Sequence, residues 1–267
     1  MFLSPSGHAI LYKYYSWDAW SKYVSKSKTI RFTNPHYFND PFELSAGCHP
    51  LSNVDLMGVD RECNIDRNIV VLCLTRNPLN SLMWAHYGDS HRGVVVGFDV
   101  VSMGLGDKDR CVLPYQFGNV IYTSTKPQGF YADSFNEEIY SFCNYDPLFL
   151  EALQRNYLYK SYEWAYEEEV RIVRHRRSFL SEVSSSEVHC VDMSFNLGSV
   201  REIYFGWRFL MGKKPPRSTC LRAVKATKRD FPSARLSFVE PVGGTWKLQA
   251  HHLGDDWQEF IQGYFDF

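Results

Sequence analysis

The most informative segment of the sequence is Tyr166-Glu167-Glu168-Glu169-Val170-Arg171-Ile172. Read as a strand, it sends alternate side chains to opposite faces. Val170 and Ile172 then point to a core, while Glu167, Glu169 and Arg171 point together to the other side. Two carboxylates two positions apart are placed to act on one ligand. The same pattern also describes a charged, solvent-facing edge on which Glu169 pairs with Arg171. On an open face of either kind, Glu169→Gln leaves folding nearly unchanged.

A second constellation is Met83-Trp84-Ala85-His86-Tyr87-Gly88-Asp89-Ser90-His91-Arg92-Gly93. An aromatic face can stack on a heterocycle, Arg92 can fork onto a phosphate, and glycine admits close backbone approach. His86 and His91 match no strong metal-ligand spacing. The plain alternative is an aromatic helix packed on the core with hydrogen-bonded histidines. In Phe38-Asn39-Asp40-Pro41-Phe42-Glu43, Phe38 and Phe42 are anchors and Asn39, Asp40 and Glu43 point outward. That is turn chemistry, or a loop that touches substrate. Lys13, set among Tyr12, Tyr14 and Tyr15, either offers a cation to a phosphate or snorkels to solvent. Nine basic residues between Arg208 and Arg235 are opposed only by Asp230. They form a patch for nucleic acid or a solvated helix face.

These residues need elements to hold them. Strands are expected at Ala9–Tyr15, Thr29–Thr33, Ile69–Leu74, Gly93–Phe98, Asn119–Thr123, Glu168–Val173, Val188–Met193, Arg201–Phe205, Arg235–Val239 and Thr245–Gln249. Ile69–Leu74 reads as a strand buried on both faces from its continuous apolar run. Ser16 is placed to cap a short helix carrying Trp17, Trp20 and Val24, and Asn80 to cap a helix over Ser81–Tyr87. Tyr131–Glu163 looks helical, broken at Pro147, and Pro216–Asp230 is a helix opened by proline. Asn53–Asn68 is a polar loop. Strands scattered along the whole length indicate an α+β fold with a mixed, mostly antiparallel, split sheet flanked by helices.

The bulk properties narrow the function classes. The chain has 267 residues and no repeat or linker, so one domain spanning 1–267 is expected. Lys+Arg at 29 against Asp+Glu at 30 argues against coating nucleic acid by bulk charge. Seven cysteines, an odd number without a C-x-x-C pair, suggest neither a disulfide framework nor a Cys-rich zinc site, and point to a reducing cytoplasm. No signal peptide or membrane span is evident. The signatures of P-loop ATPases, Rossmann dehydrogenases, zincins and α/β-hydrolases are missing.

In order, the Y-K-Y of Tyr12–Tyr14, the F-N-D-P-F-E of Phe38–Glu43, M-W-x-H-Y-x-x-x-H-x-G from Met83 and Y-E-x-E-x-R from Tyr166 resemble a widespread bacterial family of unknown-function proteins. Val170 stands where that pattern usually carries Trp. The order of a polar residue on the first strand, an aromatic in the middle and Glu on a late strand is also similar to the ADP-ribosyltransferase superfamily. The matching positions are Lys13, Tyr87 and Glu169, with Glu167 completing a Glu-x-Glu strand. Lys13 stands where the superfamily has His or Arg.

This second resemblance implies NAD as substrate, no metal, and cleavage of the nicotinamide–ribose bond by a bacterial toxin, effector or phage-defence protein, transferase or glycohydrolase. Glu169 would stabilise the oxocarbenium-like state, Glu167 would orient or deprotonate the acceptor, and Tyr87 or Trp84 would stack on nicotinamide. Contacts to NAD would come from Lys13, Tyr12, Trp84, His86, Arg92, Asn39 and Asp40. Lys13 and Glu169 should then sit on neighbouring strands at the floor of one cleft. The acceptor, protein or nucleic acid, is left open. Two other classes stay in view: a non-catalytic nucleic-acid-binding module using residues 208–235, and a metal-dependent nuclease using Asp40, Glu43, His86 and Asp89.

Overall fold

The computed structural model describes residues 9–40, 68–125, 142–187, 189–211, 217–254 and 257–263. Pro41, Phe42, Glu43, the loop expected at Asn53–Asn68 up to residue 67, the first part of the expected 131–163 helix, and Lys213 and Lys214 lie outside the described residues. The strands are β1 (Ile10–Tyr15), β2 (Thr29–Thr33), β3 (Ile69–Thr75), β4 (Val94–Asp99), β5 (Ile121–Thr123), β6 (Tyr159–Ser161), β7 (Glu169–His175), β8 (Val183–Glu187), β9 (Cys190–Ser194), β10 (Val200–Phe205), β11 (Arg235–Pro241) and β12 (Leu248–His252). Ten of them form one sheet in the order β12-β11-β10-β4-β1-β3-β2-β9-β8, with β7 also on β3. Every neighbour pair in it is antiparallel except β10 with β11. This is the expected α+β architecture with a mixed, mostly antiparallel sheet.

The sheet splits at its centre. β3 pairs with β7 along its whole length, from Ile69↔His175 to Thr75↔Glu169. On its other side it meets β1 only at Tyr12↔Thr75 and β2 only at Thr33↔Val71. In the gap between those points, Lys13 Nζ donates to the Cys73 carbonyl at 3.1 Å. A side chain thus takes the place of a ladder hydrogen bond, which meets the need of the sheet-edge carbonyl.

β3 and β7 are covered on both faces, as the apolar run of β3 indicates. Val70, Leu72, Leu74, Val170 and Ile172 enter the main core. Ile69, Val71 and Val173 enter a second cluster with Val112, Leu153 and Leu158. Tyr14, Trp84, Val95 and Val239 form a third. The helix Ser81–His86 starts where Asn80 Oδ1 accepts from Leu82 and Met83 backbone N–H groups. Ser16 caps its short helix through the Ala19 N–H.

Two expectations need correction. The 131–163 helix is, where described, only Leu150–Tyr157 after a short 3-10 turn. Tyr159–Ser161 is instead β6, in a small parallel ladder with β5. The final strand lies at Leu248–His252 instead of Thr245–Gln249, after a turn holding Gly243, Gly244 and Thr245. The sequence reading also did not foresee β8 and the helix Trp257–Gly263.

One glycine lets a neighbouring segment run tightly along β7. The segment Gly118–Val120 runs beside β7, with Arg171 N–H donating to Gly118 O and Val120 N–H to Glu169 O. A Cβ at Gly118 would sit 1.9 Å from the Arg171 carbonyl. Gly118→Ala is therefore expected to destabilise by about 1–3 kcal/mol or more, read as a lower denaturant midpoint with an unchanged slope.

Candidate functional site

A cavity of about 220 Å³ opens at the split, walled by Lys13, Arg31, Tyr87, Lys160, Glu167 and Glu169. Tyr12, Asn39 and Cys73 also reach it. β1 supplies Lys13 and β2 supplies Arg31, while β6 and β7 supply Lys160 and Glu169. Lys13 and Glu169 are not on neighbouring strands, because β3 lies between β1 and β7, yet both face this cavity.

Glu167 and Glu169 do converge, though not by simple strand alternation. Glu167 ends a 3-10 segment, Tyr162–Glu167, and Glu168 adopts a left-handed backbone with φ 46 and ψ 45 before β7 begins. A non-glycine residue in that region carries local strain. The kink turns both carboxylates onto one ammonium: Lys160 Nζ is 2.6 Å from Glu167 Oε2 and 3.2 Å from Glu169 Oε2. The β5–β6 ladder sets Lys160 opposite Tyr122, whose hydroxyl accepts the Glu169 backbone N–H at 2.9 Å.

The two carboxylates have different surroundings. Arg171 grips Glu169 with Nε at 2.9 Å and Nη2 at 3.1 Å, and its Nη1 donates to the Tyr157 carbonyl at 2.7 Å. Arg171 is 0% exposed, so the expected solvent-facing edge is in fact a buried ion pair. Glu169→Gln can no longer be expected to leave folding unchanged. Burial opposes the charge of Glu169, but the Arg171 guanidinium and Lys160 ammonium outweigh it and hold its pKa down at about 2. Burial pushes the Glu167 pKa up, and the Glu169 charge adds to that against the pull of Lys160. Glu167 also accepts the Tyr87 hydroxyl at 2.6 Å. Burial, then this bond, raises the Tyr87 pKa, and Asn39 hydrogen-bonds to the same tyrosine. Burial lowers the Lys13 pKa.

The Glu169 shift has a stability consequence. Its folded pKa, about 2, lies below the ordinary 4.5. Its contribution is therefore present above pH 4.5 and lost as pH falls toward 2, about 3 kcal/mol in all. Denaturation at stepped pH should show that acid arm in the wild type and a flatter one in Glu169→Gln. Equal arms would remove the assignment.

Of the residues singled out from sequence, Tyr12, Lys13, Asn39, Tyr87, Glu167 and Glu169 meet at the cavity. Tyr12 donates to Glu202, which also accepts Tyr204. Trp84 does not reach it. Its ring is 0% exposed, edge-on to Tyr14, and its Nε1 donates to the Pro78 carbonyl. The stacking role expected for Trp84 is therefore withdrawn. His86 is exposed beside the Tyr87 and Tyr166 rings. Arg92 is exposed and 3.9 Å from Asp89, outside the cavity wall. Asp40 is buried and likewise outside it. Lys160, Arg31 and Cys73 were missed from sequence, since a lone Lys in an aromatic run, a strand Arg and a lone Cys carry no spacing signal. Among the described residues no group of three His, Cys, Asp or Glu side chains is arranged to hold a metal ion.

Much of the histidine-glycine motif is scaffold. His91 N–H donates to the Trp84 carbonyl, and a Cβ on Gly93 would lie 2.0 Å from the Tyr15 carbonyl. The motif clamps the Ser81–His86 helix to β1 and so aims Tyr87 at Glu167.

Residues 83–172 match the family described as Protein of unknown function (DUF2971). No curated protein and no solved structure shows significant similarity to the chain. The matched span runs from Met83 to Ile172, so the residues that meet at the Tyr87–Glu167 hydrogen bond stand near its two ends. No helix among the described residues is long and apolar enough to cross a membrane.

Proposed function

We propose that the cavity cleaves the nicotinamide–ribose bond of NAD and passes the ADP-ribosyl group to an acceptor, or to water. The observation that carries this reading is the pair Glu167 and Glu169, which share Lys160 at one cavity wall while their surroundings drive their proton affinities apart. Separated proton affinities in paired carboxylates mark different roles in one reaction. As the C1′–N bond breaks, its electrons neutralise the pyridinium and nicotinamide leaves without needing a proton. The sugar becomes oxocarbenium-like, and ionised Glu169 opposes that positive charge. The acceptor then bonds to C1′ and gives its proton to Glu167. Tyr87, hydrogen-bonded to Glu167, lies beside the leaving ring, and Lys13 faces the ribose or its phosphate.

Incubating the purified protein with NAD and a bacterial lysate, and following free nicotinamide, tests the reading directly. Nicotinamide release that disappears on Glu167→Gln supports it, and no release with any acceptor fraction ends it. A cytoplasmic toxin, effector or phage-defence role would show as growth arrest on expression, relieved by the same substitution.

A second reading rests on the helix Arg217–Asp230. Cys220, Val224 and Thr227 face inward, leaving Arg222, Lys225 and Arg229 in line on the exposed face. Such a stripe suits phosphate contacts of a nucleic acid. Salt-dependent binding lost on neutralising those three residues, with NAD left intact by the protein, would favour it.

A further inference from the structure

Aromatic rings continue beyond the cavity wall. Rings continue outward from Tyr87: His86 lies 6.4 Å from it, Tyr166 6.1 Å from His86, and Trp164 6.1 Å from Tyr166. Lys160 Nζ, 5.1 Å from the Trp164 ring centre, closes the arc. Both ends of the arc, Tyr87 and Lys160, are bonded to Glu167 at 2.6 Å. The arc is therefore a rim around the carboxylate. It is held rigidly, because Asn80, which caps the Ser81–His86 helix, also donates to the Tyr166 carbonyl at 2.9 Å. His86 is exposed, and Tyr166 and Trp164 are half-buried, so ring surface remains accessible.

The cavity is small for the ligand proposed above. About 220 Å³ lies below the roughly 300–1,000 Å³ of pockets that enclose drug-sized ligands. A cavity of this size suits one planar base of a dinucleotide and leaves the other to the adjoining rings. Aromatic rings next to a cavity bind such bases through their faces, largely without regard to base identity.

We infer that His86, Tyr166 and Trp164 form a second subsite, a stacking platform for a purine base, which holds the adenosine half of the ligand while the nicotinamide half enters the cavity. The assignment of the two halves rests on the NAD reading, but the platform can be tested without it. Binding isotherms of adenosine, nicotinamide mononucleotide and NAD are compared for wild type, His86→Ala, Trp164→Ala and Trp164→Tyr.

Trp164→Ala should weaken adenosine and NAD by about 5- to 150-fold and leave nicotinamide mononucleotide unchanged. Trp164→Tyr should recover most of the loss, and exposed His86→Ala should show a smaller loss without any effect on folding. The platform is overturned if wild type binds no adenosine, or if adenosine binds Trp164→Ala as tightly as wild type. It is also overturned if nicotinamide mononucleotide weakens as much as NAD, which would make Trp164 a support for Glu167 only. Trp164-dependent adenosine binding without NAD cleavage would end the NAD reading and keep the platform.

Discussion

Glu169→Gln is expected to cut nicotinamide release by about 100–1,000-fold and to destabilise the protein at the same time. The rate effect follows from removing a fixed charge that faces the developing oxocarbenium. The stability effect follows from Arg171, which is fully buried and grips both oxygens of Glu169. Removing one partner of a buried ion pair costs about 3–5 kcal/mol, because the other charge is left uncompensated. The two effects separate in a double variant. Glu169→Gln with Arg171→Met removes both charges and should recover much of the stability, since neither is then left alone. It should not recover turnover. A well-folded double variant that cleaves NAD at the wild-type rate would sink the role of Glu169 and leave Glu167 as the carboxylate that acts.

Val170→Asp should abolish cooperative folding. Val170 is one residue away from Glu169 and Arg171, yet its side chain enters the main core on the opposite face of β7. The members of that cluster carry no cationic side chain to pair with an aspartate, and an uncompensated buried charge costs several kcal/mol even after its pKa shifts. A typical domain has only about 5–15 kcal/mol in total. The expected result is insoluble expression, or far-UV dichroism without a thermal transition. Val170→Ala deletes two methyl groups and should only lower the melting temperature. A soluble Val170→Asp protein with a wild-type melt would show that the strand does not alternate as described.

The two outcomes differ because neighbouring residues on β7 meet opposite environments, and part of that was legible in the sequence. Alternation identified Val170 and Ile172 as core and put Glu169 and Arg171 together on the other face. What it missed was that this other face is also covered. The second cluster, built from Val112, Leu153 and Leu158, comes from chain segments outside β7. No local pattern on β7 reports that such a cover exists. Trp84 illustrates the same limit: an aromatic next to glycines and histidines reads as a ligand contact, and only packing shows that its ring is enclosed.

By itself, the sequence determined the local elements and the chemical pieces of the site. Apolar alternation, the Asn80 and Ser16 caps and the pairing of Glu169 with Arg171 on one face of β7 depend on residues close along the chain, so their physics is written in short windows. Tertiary structure decided which pieces act together. Strand order put β3 between Lys13 and Glu169 and left the gap that Lys13 fills. A left-handed Glu168 and the β5–β6 ladder brought Lys160 onto both carboxylates. The proton affinities of Glu167 and Glu169 then followed from distances of about 3 Å to charges, and from exclusion of water by residues of other elements. Such energies depend on where the chain returns in space, which spacing along the sequence does not encode.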